Sequence, residues 1–292
     1  MPGDRVGLGW RPELAAGIFD ALDRIDVLEV IADNYVDASR AQRRGLNLMA
    51  RDVAVQVHSI DLGMAGSEEV STERLERLAR LIHDVEPEAW SEHLAFVRTG
   101  DIEIGHLAAP PRTEASVASA VRNVEKATRI VGSLPHMENI ATLMQPPGSA
   151  MSEPAWIARI VAASGCGLLL DLHNLHANAI NFGFDPQDFL DEIPIASVHV
   201  IHIAGGHWIN SPDGGRQYLL DDHLGEVDEP VYTLLSEVAA RAAQRLTVIL
   251  ERDGVYPPMP VLLQELDRAR DALALGRRRR MAGAEKTHAG HV

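Results

Sequence analysis

Cysteine is almost absent: Cys166 is the only one in 292 residues. That excludes an internal disulfide and disfavours an iron–sulfur cluster or a structural zinc site built on thiolates. Lying between Gly165 and Gly167, just ahead of an apolar run, it reads as a small buried thiol rather than a nucleophile. Basic residues are also scarce, with 27 Lys and Arg against 42 Asp and Glu for a formal charge of −15. This balance argues against a nucleic-acid partner, which needs cations along a groove. No apolar run approaches the roughly 20 residues of a membrane span, and the opening Met1-Pro2-Gly3-Asp4 lacks the pattern of an export signal. The expectation is a cytoplasmic protein with no membrane contact. Against these shortages stand 46% apolar residues, ample for a full core.

Eight short β-rich runs alternate with segments of helical periodicity. The runs are Arg5 to Gly9, Val27 to Ile31, Val53 to His58, Ala89 to Leu94, Leu134 to Asn139, Gly167 to Asp171, Val198 to Ile203 and Leu246 to Glu251. Between them apolar residues recur three and four apart, as Leu75, Leu78, Leu81 and Ile82 within Arg74 to Val85, or Val117, Val121, Val124 and Ile130 within Ser116 to Val131. Strand and helix repeated eight times in about 250 residues fit an α/β chain folded as a single (β/α)8 TIM barrel, with an open doubly wound sheet as the alternative. The barrel is expected over residues 1–275, and 276–292, opening with Arg277 to Arg280, as a basic, disordered tail. Gly7-Leu8-Gly9 lacks the third glycine of a dinucleotide loop. The longest irregular stretch, about Gly205 to Asp228, has the length of a functional loop.

Catalytic residues of such barrels sit at the carboxyl ends of the strands. Here those ends carry Glu29, His58, His93, Glu138, Asp171, His202 and Glu251, and the long loop adds Asp221 and His223. Any one of these histidines alone would read as a structural residue. Together they imply metal, because buried carboxylates repel one another unless protonated or bound to cations. Mixed imidazole and carboxylate ligation suits zinc, iron or manganese. The ligands are too many for one ion, so a carboxylate bridging two metals, with a third nearby, uses them economically. His199 has the opposite strand parity to His202 and is expected to face the helices. His83, His106 and His136 have no convergent partners, and Met137 and Met144 read as packing residues.

Several motifs, in order from about Gly7 to Gly254, carry a resemblance. They are His58 in Gln-Val-His-Ser, Ser91-Glu92-His93-Leu94, Glu138-Asn139, Gly165 to Asp171 followed by Asn174, and Asn181-Phe182-Gly183-Phe184-Asp185-Pro186. Ile201-His202-Ile203-Ala204-Gly205, Asp221-Asp222-His223 and Glu251-Arg252-Asp253-Gly254 complete them. In these the chain resembles the multinuclear non-heme iron-dependent oxidative enzymes (MNIOs), TIM-barrel proteins of RiPP biosynthesis that oxidise cysteine or other residues of ribosomally made precursor peptides. The resemblance implies two or three irons, mixed-valent Fe(II)/Fe(III), and O2 as co-substrate. It assigns His58, His93 and Glu138 to one iron, with Glu138 bridging to a second held by Asp171, His202 and Glu251. Asn174, Asp221 and His223 take the third. Glu138, Asp171 and Glu251 would act in catalysis through the bound metal. Glu29, Asn34, Asn139, Arg252 and Asp253 would orient ligands or substrate, and His207 would touch substrate. The chain departs from relatives where His173 precedes Asn174, where His223-Leu224-Gly225 lacks a late histidine, and where Ala204-Gly205-Gly206-His207 is stretched. His173 is therefore a rival of Asn174 for the third site, and His176 a spare candidate.

The implied mechanism is oxygen activation at the iron pair, with a peptide cysteine thiolate bound to the ferric ion. The sequence after Glu251 reads only as the last barrel helix and the tail, so a separate leader-peptide-recognition protein is expected as partner. Competing readings on the same fold are a divalent-metal sugar isomerase, a zinc-dependent endonuclease-like phosphodiesterase and a non-catalytic metal-binding protein.

Overall fold

The computed structural model describes residues 3–100, 102–211 and 214–289, with side chains up to 283. Eight parallel strands close into a barrel in which every strand lies between its neighbours in sequence. They are β1 (Arg5–Gly9), β2 (Val27–Ile31), β3 (Ala54–Ser59), β4 (Ala89–His93), β5 (His136–Glu138), β6 (Gly167–Asp171), β7 (Val198–Ile203) and β8 (Thr247–Leu250). Consecutive parallel neighbours require a crossover after each strand, and helices supply most of them. These are α1 (Ala15–Asp20), α2 (Arg40–Met49), α3 (Thr72–Val85), α4 (Glu114–Val131), α5 (Glu153–Ser164), α6 (Leu172–Phe182), α7 (Pro186–Glu192), α8 (Glu229–Arg241) and α9 (Met259–Ala289). The fold is the expected TIM barrel.

The strands are buried on both faces, which is why they read as apolar runs rather than alternations. Outward side chains such as Val6, Leu8, Val57, Leu168 and Leu170 join the helices in the main core. Inward ones, Val27, Leu169, Val200 and Ile249, form a separate plug inside the barrel. With apolar residues filling the lower barrel, the polar inward residues of the strands fall at the carboxyl ends. Gly7 belongs to this packing and not to a nucleotide loop, since a Cβ there would lie 1.9 Å from the Val27 carbonyl oxygen.

Three sequence expectations need correction. Residues 276–289 are not an irregular end but continue α9, and Arg277 ties the start of that stretch to the barrel: its guanidinium donates to both carboxylate oxygens of Asp4 (2.8 and 2.6 Å) and to the Gln244 carbonyl. Residues 290–292 of the expected tail lie outside the described residues. The stretch from Gly205 to Asp228 is not irregular throughout but holds a hairpin, His207–Asn210 with Gln217–Leu220. A further hairpin, Phe96–Thr99 with Ile102–Ala108, follows β4. Finally, the β6–β7 register shifts between Leu168 and Leu169, pairing them with Val198 and Val200. His199 is skipped, strict alternation fails there, and its exposed ring lies 5.6 Å from that of His136.

Candidate metal centre

Side chains from six strand ends meet at the carboxyl mouth of the barrel. Glu138, at the end of β5, lies at their centre. One of its oxygens, Oε2, faces His58 Nε2 at 3.5 Å and His93 Nε2 at 3.4 Å, while Oε1 faces His202 Nδ1 at 3.4 Å. The ligand atoms accordingly form two groups, each within 4.8 Å: His58, His93 and Glu138, and Glu138, Asp171, His202 and Glu251. Glu138 belongs to both, the position of a bridging carboxylate.

Each histidine is oriented from behind, which decides the nitrogen it presents. His58 Nδ1 shares a hydrogen bond with Ser91 Oγ at 2.8 Å. His93 Nδ1 lies 3.4 Å from Glu92, a buried carboxylate that also accepts from the Leu62 and His93 amides. His202 Nε2 rests between the two oxygens of Glu29, at 3.0 and 3.1 Å, leaving Nδ1 for Glu138 and for Glu251 at 3.0 Å. Asp171 is fixed differently. It caps α6, its Oδ1 accepting from the Asn174 amide at 2.6 Å, while Oδ2 has no partner.

Beside this pair, Asp221 and His223 approach from the loop after β7, with His223 Nε2 2.6 Å from Asp221 Oδ1 and His223 Nδ1 2.8 Å from Asp253 Oδ2. His223 has φ 57°, a conformation sparsely used by non-glycine residues, and this contact helps hold it there. Asn174 donates to the Asn139 carbonyl and leaves its Oδ1 unpartnered. The ring of His173 is turned to the Leu220 carbonyl at 3.3 Å and lies 3.9 Å from Asp221.

Asp171 Oδ2 and Asn174 Oδ1 are buried without a hydrogen-bond partner, and Glu138 Oε2, His202 Nδ1, Asp221 Oδ1 and His223 Nε2 have one another and Glu251, His58, His93 and His173 as their polar neighbours. Each unpartnered atom costs about 1–3 kcal/mol, and several ligand atoms converging on one space is the arrangement a cation would satisfy. The residues therefore fit metal ions. Without cations the charges are compensated by protons. Burial opposes a charge on His93, but Glu138 and Glu92 outweigh it and raise its pKa to about 9. His202 and His223 are likewise held well above the usual imidazole range, against burial, by Glu251 and their other carboxylate neighbours. Burial, with Asp221 and Glu138 nearby, pushes Asp171 well above the carboxylate range. Glu251 goes the opposite way, since His202 and His223 overcome its desolvation.

The residues expected to touch substrate divide. Asn34 and Asp253 line a cavity of about 620 Å³ above the ligands, Asp253 being also paired with Arg11. Glu29 lies behind His202 instead. Asn139 and Arg252 are buried and turned away from the cavity: Asn139 bonds the amide and carbonyl of Asp171, and Arg252 ties Glu265 to the Leu224 carbonyl. Neither lines the cavity, and Asn139, bonded to the backbone of Asp171, takes the ligand-orienting half of the expectation. His207 is exposed, pairs with Asp222 and is not among the cavity's lining residues. The sequence reading passed over Arg11 and Asp61, and left His106 without convergent partners, yet all three line this cavity. No periodicity marks them, because the hairpin and loops that carry them are placed by tertiary contacts.

Over residues 5–274 the sequence matches the family described as RiPP precursor modification enzyme MbnB/TglH/ChrH. A UPF0276 protein of Bordetella bronchiseptica is 32% identical over 272 residues, covering 93% of each chain. Another, of Streptomyces avermitilis, is 35% identical over 278 residues, and the match spans 55% of that longer protein. Among solved structures, L-ribulose 3-epimerase superposes with a TM-score of 0.58 at 14% identity, over 97% of this chain and 98% of that one. A xylose isomerase domain containing protein from Salmonella typhimurium gives 0.59 at 14% identity, over 94% and 99%. At such identity these two show the barrel alone. The family match and the curated relatives go further: the chain belongs to the MbnB/TglH/ChrH family of RiPP precursor modification enzymes.

Proposed function

We propose that this chain is an oxidase that holds two or three irons and uses dioxygen to modify cysteine, or another residue, in a ribosomally synthesised precursor peptide. The observation that carries the reading is Glu138 shared between two buried ligand groups beneath an open cavity, in a family that modifies such precursors. His58, His93 and Glu138 would hold one ion, and Glu138, Asp171, His202 and Glu251 the second. Asn174, Asp221 and His223 would take a third. Bound iron would supply a site for the peptide thiolate and one-electron chemistry with dioxygen, which takes up the electrons removed from the peptide.

The chain's own groups do the positioning. Ser91, Glu92, Glu29 and Asp253 set which nitrogen each histidine presents. Asn34 and Asp253, on the cavity wall, orient the peptide. A separate protein that recognises the leader peptide, and a cytoplasmic setting, complete the proposal. Among the described residues no helix is long and apolar enough to cross a membrane.

Co-expression with short cysteine-containing reading frames from neighbouring genes tests this. The expected result is an oxygen-dependent mass change in one such peptide, lost in His58→Ala. Peptides of unaltered mass, together with a chain isolated from anaerobic cells holding only zinc or only manganese, would contradict it and favour hydrolase or isomerase chemistry.

A further inference from the structure

Resting on that reading, we infer that the residues flanking the modified one in the substrate are apolar and lie extended in a groove beside the metal cavity. The groove, of about 720 Å³, runs between the Ile102–Ala108 strand, the loop after β5 and the Gln217–Leu220 strand. Its size falls within the roughly 300–1,000 Å³ of ordinary ligand pockets.

Continuity with the metal cavity names the occupant. His106, Leu107 and Asp221 line both spaces, so a chain with one residue over the metals has its neighbours in the groove. The two spaces differ in chemistry. Arg11, Asp61, Glu103 and Asp253 line the metal cavity, whereas among the described residues the groove's only ionisable lining ones are His106 and Asp221. Leu107, Ile140, Leu143, Met144, Pro146 and Leu219 supply an apolar wall. Leu143 and Met144 are 49% and 69% exposed, side by side on that wall. Exposed apolar neighbours in a concave surface mark a contact that is covered on binding.

The groove's edges suit an extended peptide. On one side the amide and carbonyl of Leu219 are already taken by the side chain of Asn181, both at 2.9 Å, so that strand is closed to a further partner. On the other, the hairpin register shifts between Phe96 and Arg98, and in the described pairing Ile104 to Leu107 face no residue of the partner strand. Gly105, with φ 77°, allows the bend there.

Fluorescein-labelled synthetic peptides with a central cysteine, flanked either by leucine and valine or by aspartate and serine, test the inference by anisotropy on iron-loaded protein under argon. The apolar-flanked peptide is expected to half-saturate at a concentration about tenfold lower, the worth of burying one or two apolar side chains. In the double variant Leu143→Asp/Met144→Asp that ratio falls to about twofold or less by the same measure, with metal content as the check on folding. The Leu48→Asp control, at a similarly exposed position on α2, leaves the ratio intact. Absence of a flank preference, or its survival in the double variant, overturns the groove whether or not the cysteine matters. Replacing the central cysteine by serine reads the other axis: a flank preference that persists while serine binds as well as cysteine contradicts the thiol-binding reading and leaves the groove standing.

Discussion

Asp171 shows how a single residue is asked to serve two ends. Its Oδ1 caps α6, and its Oδ2 is aimed, unpartnered, at Glu138 and its neighbours. Burial, then Asp221 and Glu138, raises its pKa well above the ordinary value. The sign follows from linkage: a raised carboxyl contributes stability below its unfolded pKa of about 3.9 and loses it as pH rises through the folded value. At neutral pH, above its unfolded pKa, Asp171 therefore costs the metal-free protein stability. Asp171→Asn keeps the cap and removes the charge, so it should raise the thermal midpoint of metal-free protein while weakening metal binding, both readable by calorimetry and metal titration. Glu29→Gln tests the support of His202. It should lower metal affinity about 10- to 100-fold at the Glu138, Asp171, His202 and Glu251 group, leaving the His58 and His93 group less affected. Equal losses at both groups would contradict the role given to Glu29.

At the scale of the element, β5 joins the site to the opposite end of the barrel. His136, two residues before Glu138, packs against Gly167, where a Cβ would lie 1.9 Å from its ring. Burial, with His199 adjacent, lowers its pKa to about 4. A depressed histidine contributes stability above its unfolded value of about 6.5 that is lost as pH falls through the folded one. Between those values its contribution should decline by about 1.4 kcal/mol per pH unit. His136→Asn should remove that part of the acid sensitivity, measured as a difference in urea midpoints between pH 7 and pH 4.5. Parallel slopes for the two proteins would show that His136 does not titrate this way. The strands themselves were legible because both faces are buried: β2, β6 and β7 begin and end where their apolar runs do. The hairpins were not, because neither buries a full face, as the exposed and half-exposed residues of Ile102–Ala108 show. His199 was misplaced for a related reason, since strand parity carries no sign of a register shift set by the neighbouring strand.

For the whole molecule, the fold and the convergence of the residues in the two principal groups were legible together. A closed parallel barrel sends the carboxyl end of every strand to one mouth, so Glu138, Asp171, His202 and Glu251 could be gathered from sequence alone. What stands behind them was not. Ser91 and Glu92 support His58 and His93 through contacts between adjacent strands, and Arg11 reaches Asp253 from the other end of the chain. Those relations depend on register and loop placement rather than on composition. The same topology makes the central claim one of geometry, that a single carboxylate joins two ions at the mouth. Anomalous diffraction at the iron edge, from crystals of protein purified and kept without oxygen, addresses it directly. The account predicts two strong peaks flanking Glu138, one against His58 and His93, the other against Asp171, His202 and Glu251. A single peak away from Glu138, or no iron signal at a mouth filled by zinc, would contradict it.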